Sequence, residues 1–240
     1  MNERPDTLGK ALLDYQSGNN KGKLIIYGED LEDEIMDIAY YFRSFEEMPE
    51  YEQIALDLCE GITLDVGAGA GSHALYLQNK GLNVKAIDIS KGAVEVMKAR
   101  TLKNPKQISV QELTDEKYDS ILLLMNGIGI SGSLQTLPAF LSHLKSLLLP
   151  GGKIILDSTD LRYLFLEEDG SFWIDLNAEY YGEVKYKYSY NNEEGEWFPW
   201  LFIDEDNLKE IAEGIGLRMD VVYRNEEYHY LAILQSASSD

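Results

Sequence analysis

The stretch Ile62-Thr63-Leu64-Asp65-Val66-Gly67-Ala68-Gly69-Ala70-Gly71 decides the fold of this 240-residue chain. The apolar residues before the first glycine predict a short strand that is buried on both faces. The glycines permit a sharp turn and let the backbone approach a ligand, because no Cβ stands in the way. Residues 72–79 then predict a helix whose free N–H groups point at the turn. Together these elements are suited to holding a small ligand.

An acidic residue ends the next predicted strand. Residues 83–89 read Asn-Val-Lys-Ala-Ile-Asp-Ile, which places Asp88 21 residues after Gly67. An acid at this position can accept hydrogen bonds from both ribose hydroxyls of a nucleoside. Ile89 follows it and is predicted to pack on the adenine ring. The pattern therefore predicts a ligand that contains adenosine.

The residues around the glycines indicate which adenosine ligand binds. The dinucleotide pattern G-x-G-x-x-G would require a glycine at position 72, where this chain has Ser72. Asp65 instead precedes the first glycine by two residues, where its charge repels a pyrophosphate and attracts an ammonium group. S-adenosylmethionine carries an α-ammonium and a sulfonium but no phosphate. The combination predicts S-adenosylmethionine as the cofactor.

Four segments resemble the class I S-adenosylmethionine-dependent methyltransferases. They are Leu64 to Gly71, Ala86 to Ser90, Tyr118 to Gly127 and Leu148 to Leu156, and the resemblance in element order spans roughly residues 50–235. The resemblance implies transfer of a methyl group to a small-molecule acceptor. It also implies that the segment after the third strand recognises adenine and that the N-terminal helices cover the cofactor.

Strand and helix patterns alternate along the chain. They predict an α/β fold with a doubly wound, mostly parallel seven-stranded sheet and a C-terminal antiparallel hairpin strand. The strands are predicted near residues 62–66, 84–88, 108–111, 120–125, 153–157, 217–223 and 228–235. The main helices are predicted near residues 71–80, 91–100, 134–147 and 205–214.

Two further parts of this single domain flank the core. Apolar residues recur at helical spacing from Leu31 to Phe42, and Pro49 begins another predicted helix, so we expect N-terminal lid helices. After the fifth strand, tyrosines alternate with polar residues over 184–190, which predicts an inserted antiparallel β hairpin. The expected parts are an N-terminal helical lid over 1–60, a cofactor-binding core over 61–158, the insertion over 159–203 and a C-terminal helix and hairpin over 204–240.

Other candidate site residues follow from position. Asn126 lies at the carboxyl end of the fourth strand, where open α/β sheets bind ligands, and its amide offers a donor and an acceptor. Arg43 can clamp a cofactor carboxylate or simply favour the end of a helix. The predicted cofactor-binding residues are Arg43, Asp65, Gly67, Ala68, Gly69, Gly71, Asp88, Ile89, Glu112, Leu113, Met125, Asn126 and Gly127. We assign no catalytic residue, because the sulfonium makes the methyl group intrinsically reactive.

Composition limits the remaining possibilities. A formal net charge of −21 argues against a nucleic-acid substrate and against anionic membranes. The lone Cys59 cannot form an internal disulfide, which suggests a reducing cytoplasm. The three histidines and this cysteine have no metal-ligand spacing, so no metal is predicted.

The aromatic residues of the insertion have two interpretations, and the function has two alternatives. Trp173, Tyr186, Tyr188, Trp197 and Trp200 can form a substrate pocket or simply pack within the insertion. A nicotinamide-dependent oxidoreductase would share the topology, and a non-catalytic S-adenosylmethionine-binding protein would share the glycine turn. The oligomeric state is left open.

Overall fold

In the computed structural model, residues 5–29, 31–166 and 179–236 are described, and they form two β-sheets with helices packed around them. The α-helices are α1 (Thr7–Gln16), α2 (Glu50–Asp57), α3 (Ser72–Asn79), α4 (Lys91–Ala99), α5 (Leu137–Ser146) and α6 (Glu205–Gly214). The strands are β1 (Leu24–Gly28), β2 (Glu34–Met36), β3 (Ile62–Val66), β4 (Asn83–Asp88), β5 (Lys106–Gln107), β6 (Tyr118–Leu123), β7 (Leu148–Thr159), β8 (Glu183–Tyr190), β9 (Glu193–Glu194), β10 (Phe198–Leu201), β11 (Leu217–Arg224) and β12 (His229–Ser236). No helix in the described ranges is long and apolar enough to cross a membrane.

The main sheet has seven strands in the order β11-β12-β7-β6-β3-β4-β5. Strands β3 to β7 run parallel, and β12 is antiparallel to both β7 and β11. This confirms the predicted α/β fold with a reversed strand near the C-terminus. The strand order reverses between β3 and β6, and ligands of open α/β sheets bind at the carboxyl ends of strands at such a point.

Helices cover both faces of the main sheet. On one face, α5 and α6 bury leucines such as Leu141 and Leu208 against the apolar residues of β3, β6 and β7. On the other face, α2, α3 and α4 bury Leu56, Leu77 and Met97 in a second cluster. Because both faces of the sheet are buried under helices, the central strands are almost continuously apolar, as the sequence predicted.

The third strand of the core is shorter than predicted and lies earlier in the chain. The prediction of a strand over 108–111 is wrong: β5 pairs only through Lys106 and Gln107, and Val110–Glu112 form a 3-10 helix. Ser109 and Glu112 form a capping box at this helix. The box supplies local hydrogen bonds to the backbone, so the segment turns away from β4 instead of extending beside it.

The N-terminal lid is only partly helical, so the expectation of lid helices over 1–60 needs correction. The residues from Leu31 that have helical spacing form β2 and a 3-10 helix over Ile38–Phe42. Strand β1 pairs on one side with β2 and on the other with β8. The edge of β8 carries backbone groups that need partners, and this pairing requirement outweighs the local periodicity.

The insertion contributes to a second sheet in the order β10-β8-β1-β2, with β9 paired to β8. The predicted antiparallel pairing within 184–200 is present between β8 and β10, and Asn191 and Asn192 form the turn with positive φ angles of 52° and 66°. Its pairing with β1 was not predicted. Cross-strand pairs place Tyr186, Tyr188, Tyr190, Phe198 and Trp200 on one face of this sheet, which we call the aromatic face.

Candidate active site

The glycine turn connects β3 to α3 in a left-handed conformation. Gly67, Gly69 and Gly71 have φ angles of 69°, 54° and 80°, which residues with a Cβ rarely adopt. A Cβ added to Gly69 would lie 3.4 Å from Tyr41, and one on Gly71 would lie 2.8 Å from Met97. The amides of Gly67 and Ala68 both bond to the carbonyl of Ile87, at 2.9 and 3.0 Å, which fixes the turn against β4.

Asp65 lies beneath this turn with an unused acceptor. The residue is 2% exposed, and its Oδ2 atom has no hydrogen-bond partner among the described residues. Burial raises the pKa of this carboxyl to about 6, although His73 and the backbone N–H of Ala74 oppose the shift. A buried carboxylate oxygen without a partner is costly to maintain, so the site fits a ligand that brings a positive charge or a hydrogen-bond donor.

Asp88 joins the turn to the carboxyl end of β4. Its Oδ2 accepts a hydrogen bond from the amide of Gly69 at 2.9 Å, and its Oδ1 accepts one from the amide of Ser90 at 2.8 Å. Burial raises the pKa of Asp88, and these two N–H donors limit the rise. Ile89 is 74% exposed beside it, so an apolar side chain is available to a flat ring.

The segment after β5 lies next to Asp88 but offers few side chains. The amide of Ile108 donates to the carbonyl of Asp88 at 3.1 Å. Glu112 is exposed, and its carboxylate accepts from the amide of Ser109 at 3.1 Å. Leu113 is packed in the core at 3% exposure. The role of Glu112 in adenine binding stays a prediction. So does that of Leu113, which could contact adenine only through its backbone atoms, because its side chain is buried in the core.

Met125 and Asn126 form a strained turn at the end of β6. Their φ angles are 60° and 55°, and two successive non-glycine residues with positive φ cost energy that the surroundings must offset. Asp157 on β7 is fully buried, and its Oδ2 accepts from the amide of Asn126 at 2.9 Å. The Asn126 side chain accepts from Thr159 Oγ1 at 3.1 Å. Gly127 begins the 3-10 helix Gly127–Ser131 that follows.

His229 completes this polar group from the reversed strand. Its Nδ1 lies 2.8 Å from Thr159 Oγ1, and its ring centre lies 4.1 Å from that of Tyr51. The Nε2 atom lies 3.1 Å from Asp157 Oδ2 but outside hydrogen-bond geometry, so that contact is electrostatic. Both ring nitrogens therefore face protein groups, Thr159 on one side and Asp157 on the other.

Arg43 contacts an acid that the sequence analysis did not select. Its Nη2 lies 2.9 and 3.0 Å from the two carboxylate oxygens of Glu52, which is fully buried. Glu52 also meets His73 Nε2 at 2.8 Å. Burial raises the pKa of Glu52, but His73 and Arg43 lower it more, and the net shift is downward. The guanidinium carbon lies 3.4 Å from the centre of the Tyr40 ring.

The aromatic face of the second sheet approaches the same edge of the main sheet. Tyr188 lies beside Tyr41, and burial, with a smaller contribution from Asp88, raises the pKa of Tyr188 to about 12. A Cβ added to Gly129 would overlap the indole of Trp200, so the loop after β6 packs directly on that ring. The second sheet thus packs on the loop after β6, and Tyr41 packs on the glycine turn.

Comparisons with known proteins agree with this geometry. A family model described as "Methyltransferase domain" matches residues 64–156. An S-adenosylmethionine-dependent methyltransferase from Bacteroides fragilis, solved with S-adenosyl-L-homocysteine, is 39% identical with a TM-score of 0.90, over 97% of this chain and 95% of that one. The chain belongs to the S-adenosylmethionine-dependent methyltransferases.

Two more distant methyltransferase structures share the fold alone. A Clostridium acetobutylicum S-adenosylmethionine-dependent methyltransferase is 14% identical with a TM-score of 0.60, over 80% of this chain and 94% of that one. The sugar N-methyltransferase KedS8 from a Streptoalloteichus species is also 14% identical, with a TM-score of 0.56, over 88% of this chain and 96% of that one. A search of curated proteins gave no match.

The family assignment decides between the rival functions. The cofactor of this methyltransferase is S-adenosylmethionine, and the buried, unpartnered oxygen of Asp65 fits its ammonium group. Asp88 and the exposed Ile89 fit its adenosine end. A nicotinamide dinucleotide would instead bring a pyrophosphate toward Asp65. In the described ranges, no cluster of three or more candidate ligand residues could hold a metal ion.

Sequence reasoning missed part of the methyltransferase site. Glu52 shares one face of α2 with Ala55, Leu56 and Cys59, so an acid on an apolar stripe was a readable signal. Tyr41, which packs on the glycine turn, gave no comparable signal, because its segment was assigned to a helix. Trp173 lies outside the described residues. The predicted cofactor contacts themselves stay predictions, since their positions are consistent with binding but no ligand has been observed.

Proposed function

We propose that this methyltransferase acts on a small-molecule acceptor, which enters between the aromatic face and the turn at Met125 and Asn126. The observation that carries the proposal is the packing of Trp200 on Gly129. That contact closes the second sheet over the carboxyl ends of β6 and β7, and a narrow covered cleft suits a small molecule better than a macromolecule. The net charge of −21 also disfavours nucleic acid.

The chemistry requires alignment more than acid–base catalysis. When bound, S-adenosylmethionine supplies a methyl group on a positively charged sulfur, which makes the methyl carbon electrophilic. The glycine turn and Asp65 hold the amino-acid end, and Asp88 holds the ribose. Asn126, fixed by Asp157 and Thr159, presents a rigid edge beside the acceptor. Rigid positioning of both reactants and exclusion of water lower the barrier without a dedicated base.

The aromatic face supplies the cover over the reaction. Phe198 lies 5.2 Å from Tyr188 and 6.1 Å from Trp200, measured between ring centres, so the three rings form a continuous apolar surface. Trp197 does not belong to it: this ring is 48% exposed and carries Lys187 on the opposite face. Trp200 and Trp197 therefore offer a matched comparison of one tryptophan inside the proposed cleft and one outside it.

The test measures cofactor binding and methyl transfer separately. We expect Trp200→Ala to lower kcat/KM for an acceptor found in a metabolite panel by about tenfold, while the Kd for S-adenosylhomocysteine changes less than about twofold. Trp197→Ala should change neither. Gly129→Ala, which displaces the indole, should act like Trp200→Ala. Equal activity in the Trp200→Ala and Trp197→Ala enzymes would remove the aromatic face from the acceptor site.

A cytoplasmic location also stays a proposal. It is supported by the single, buried Cys59, whose pKa burial raises to about 12, so that its thiol is unreactive. Fractionation of cells that produce the untagged protein would test the location directly.

A further inference from the structure

An acidic residue lies on the aromatic face among the tyrosines. Glu34 on β2 pairs with Ile26 on β1, and Ile26 pairs in turn with Tyr188 on β8. Directly paired residues of antiparallel strands share a face, so Glu34, Ile26 and Tyr188 form one row on the side that faces the main sheet. Tyr188 reaches Tyr41, which covers the glycine turn, so this row borders the cleft.

Nearby acids contribute to the raised pKa values of two tyrosines, Tyr186 and Tyr41. Burial raises the pKa of Tyr186 to about 12, and Glu34 adds to the rise. Burial also raises the pKa of Tyr41, to which Asp88 and Glu34 contribute. The strand register independently places Glu34 on the same side of the second sheet as Tyr186 and Tyr188. Its own side chain remains exposed, so its charge is available to a molecule that enters the cleft.

Two arginines on this side of the molecule are ion-paired, and a third, Arg100, donates to the carbonyl of Ala70 and to Ser72 Oγ at the glycine turn. Arg43 is engaged by the buried Glu52, and Arg162, which follows β7, pairs with Asp160. An anionic acceptor that binds beside Glu34 would therefore meet an exposed carboxylate. A hydroxyl acceptor would develop negative charge on losing its proton, and the Glu34 carboxylate opposes that step.

From this placement we propose that the acceptor is an amine, which the cleft binds as an ammonium ion between Glu34 and the rings of Tyr41 and Tyr186. Electron-rich aromatic faces and a nearby carboxylate are the groups that bind ammonium ions in proteins. The inference rests on the proposed function, because it names the chemical class of the acceptor in the same cleft.

The transfer step balances for an amine. The bound ammonium first loses one proton to water and becomes a neutral amine with a free electron pair. That pair forms the new N–C bond to the methyl carbon, the C–S bond breaks, and its electrons remain on sulfur. The products are S-adenosylhomocysteine and an N-methylated ammonium ion. No oxidant, reductant or metal is needed.

The experiment uses the full-length protein saturated with S-adenosylhomocysteine. Calorimetry compares three cationic probes (tetramethylammonium, benzylammonium and benzyltrimethylammonium) with benzyl alcohol and benzoate. We expect at least one cation to bind about tenfold more tightly than benzyl alcohol, and benzoate to bind least. Failure of all three cations, or equal binding of cation, alcohol and anion, would overturn the amine proposal.

Variants then locate the effect. Glu34→Gln should weaken the best cationic probe about fivefold to tenfold and leave the Kd for S-adenosylhomocysteine within about twofold. Glu29→Gln is the matched control. This substitution removes the same charge, but Glu29 pairs with Lys185 on the outer face of the same sheet. An equal loss in both variants would mean that Glu34 acts only through the net charge and would overturn the site.

A last comparison separates this inference from the proposed function. If Glu34→Gln weakens S-adenosylmethionine but not the cationic probe, Glu34 serves the sulfonium and the amine proposal is wrong. If a panel of amines and alcohols yields methylated alcohols alone, the proposal is also wrong, although the proposed function stands. If the protein binds S-adenosylhomocysteine but methylates nothing in any small-molecule class, the proposed function itself fails.

Discussion

The amide nitrogen of Gly69 lies 2.9 Å from Oδ2 of Asp88. This hydrogen bond joins the glycine turn after β3 to the acid at the end of β4, which are 19 residues apart in the chain. The same carboxylate also accepts from the amide of Ser90, so Asp88 organises the loop before any ribose arrives. If Asp88 binds the ribose as predicted, cofactor binding has to share or replace a hydrogen bond that already holds the turn.

Replacement of Asp88 should weaken cofactor binding more than it weakens the fold. Hydrogen bonds to a charged group contribute about 1.5–3 kcal/mol each, so Asp88→Ala should raise the Kd for S-adenosylhomocysteine at least about tenfold. Calorimetry measures the affinity, and circular dichroism checks the fold. Asp115→Ala, which removes an exposed acid, is the control and should bind normally. Unchanged affinity in a folded Asp88→Ala protein would exclude Asp88 from the site.

The pKa of Asp65 predicts a dependence of cofactor affinity on pH. Burial raises this pKa to about 6, so below about pH 6 the ligand-free protein holds a proton that the ammonium of the ligand should displace. Affinity for S-adenosylhomocysteine should rise as pH increases toward about 6 and then level off. Binding near pH 5.5 should release a proton, which calorimetry in buffers of different ionisation enthalpy detects. Asp65→Asn should bind at least about tenfold more weakly and show no such release.

The raised pKa of Asp65 also predicts how stability depends on pH. Its contribution to stability falls as pH rises, whereas that of an ion-paired acid increases. Because the folded pKa lies above the unfolded value, Asp65 favours the folded state fully below about pH 4, and that contribution is lost as pH rises through about 6. Above pH 7, ligand-free Asp65→Asn should therefore be more stable than the natural protein by up to about 3 kcal/mol. Urea denaturation at pH 4.5 and 7.5 tests this difference, which should be small at the lower pH.

The pair of Arg43 and Glu52 separates a structural role from a cofactor role. Arg43→Met leaves the buried Glu52 with His73 as its remaining charged partner, so it should destabilise the protein by about 3 kcal/mol. Arg43→Met combined with Glu52→Gln removes the stranded charge and should recover most of that loss. If Arg43 binds the cofactor carboxylate, the double variant still binds S-adenosylhomocysteine about tenfold more weakly. Recovery of both stability and affinity would make Arg43 purely structural.

The turn at Asn126 allows backbone strain and side-chain function to be told apart. Asn126→Gly and Asn126→Ala both remove the contact with Thr159, but glycine relieves the φ angle of 55° and alanine does not. The alanine variant should be less stable by about 1–2 kcal/mol. Methyl transfer should fall by the same factor in both if the amide positions the reactants. A defect confined to the alanine variant would show that only the backbone matters.

The sequence predicted the parts of this protein that local patterns encode. The strand, glycine turn and helix from Ile62 to Asn79 form as predicted because each glycine is required by the backbone itself. The seven-stranded sheet also followed, since alternating apolar strands and amphipathic helices pack in few ways. The choice of S-adenosylmethionine followed from Asp65 and the missing glycine at position 72.

Predictions failed where a distant partner decided the outcome. The helical spacing from Leu31 to Phe42 was overruled, because β8 needs a neighbour and β1 and β2 supply it. The strand predicted over 108–111 was replaced by a 3-10 helix, because Ser109 and Glu112 satisfy the backbone locally. The prediction that Arg43 binds the cofactor carboxylate stays a prediction, and the structure adds that Glu52, nine residues away, already binds the same guanidinium.

The sequence by itself thus determined the fold class and the cofactor, because these depend on short-range patterns of glycine, charge and apolar residues. The tertiary structure alone decided that a second sheet covers the site, that Trp200 packs on Gly129, and that Glu34 joins the aromatic face. The pairing of β1 with β8, which holds the second sheet together, joins residues more than 150 positions apart. Backbone hydrogen bonding sets such pairing, and no local spacing in the chain records it.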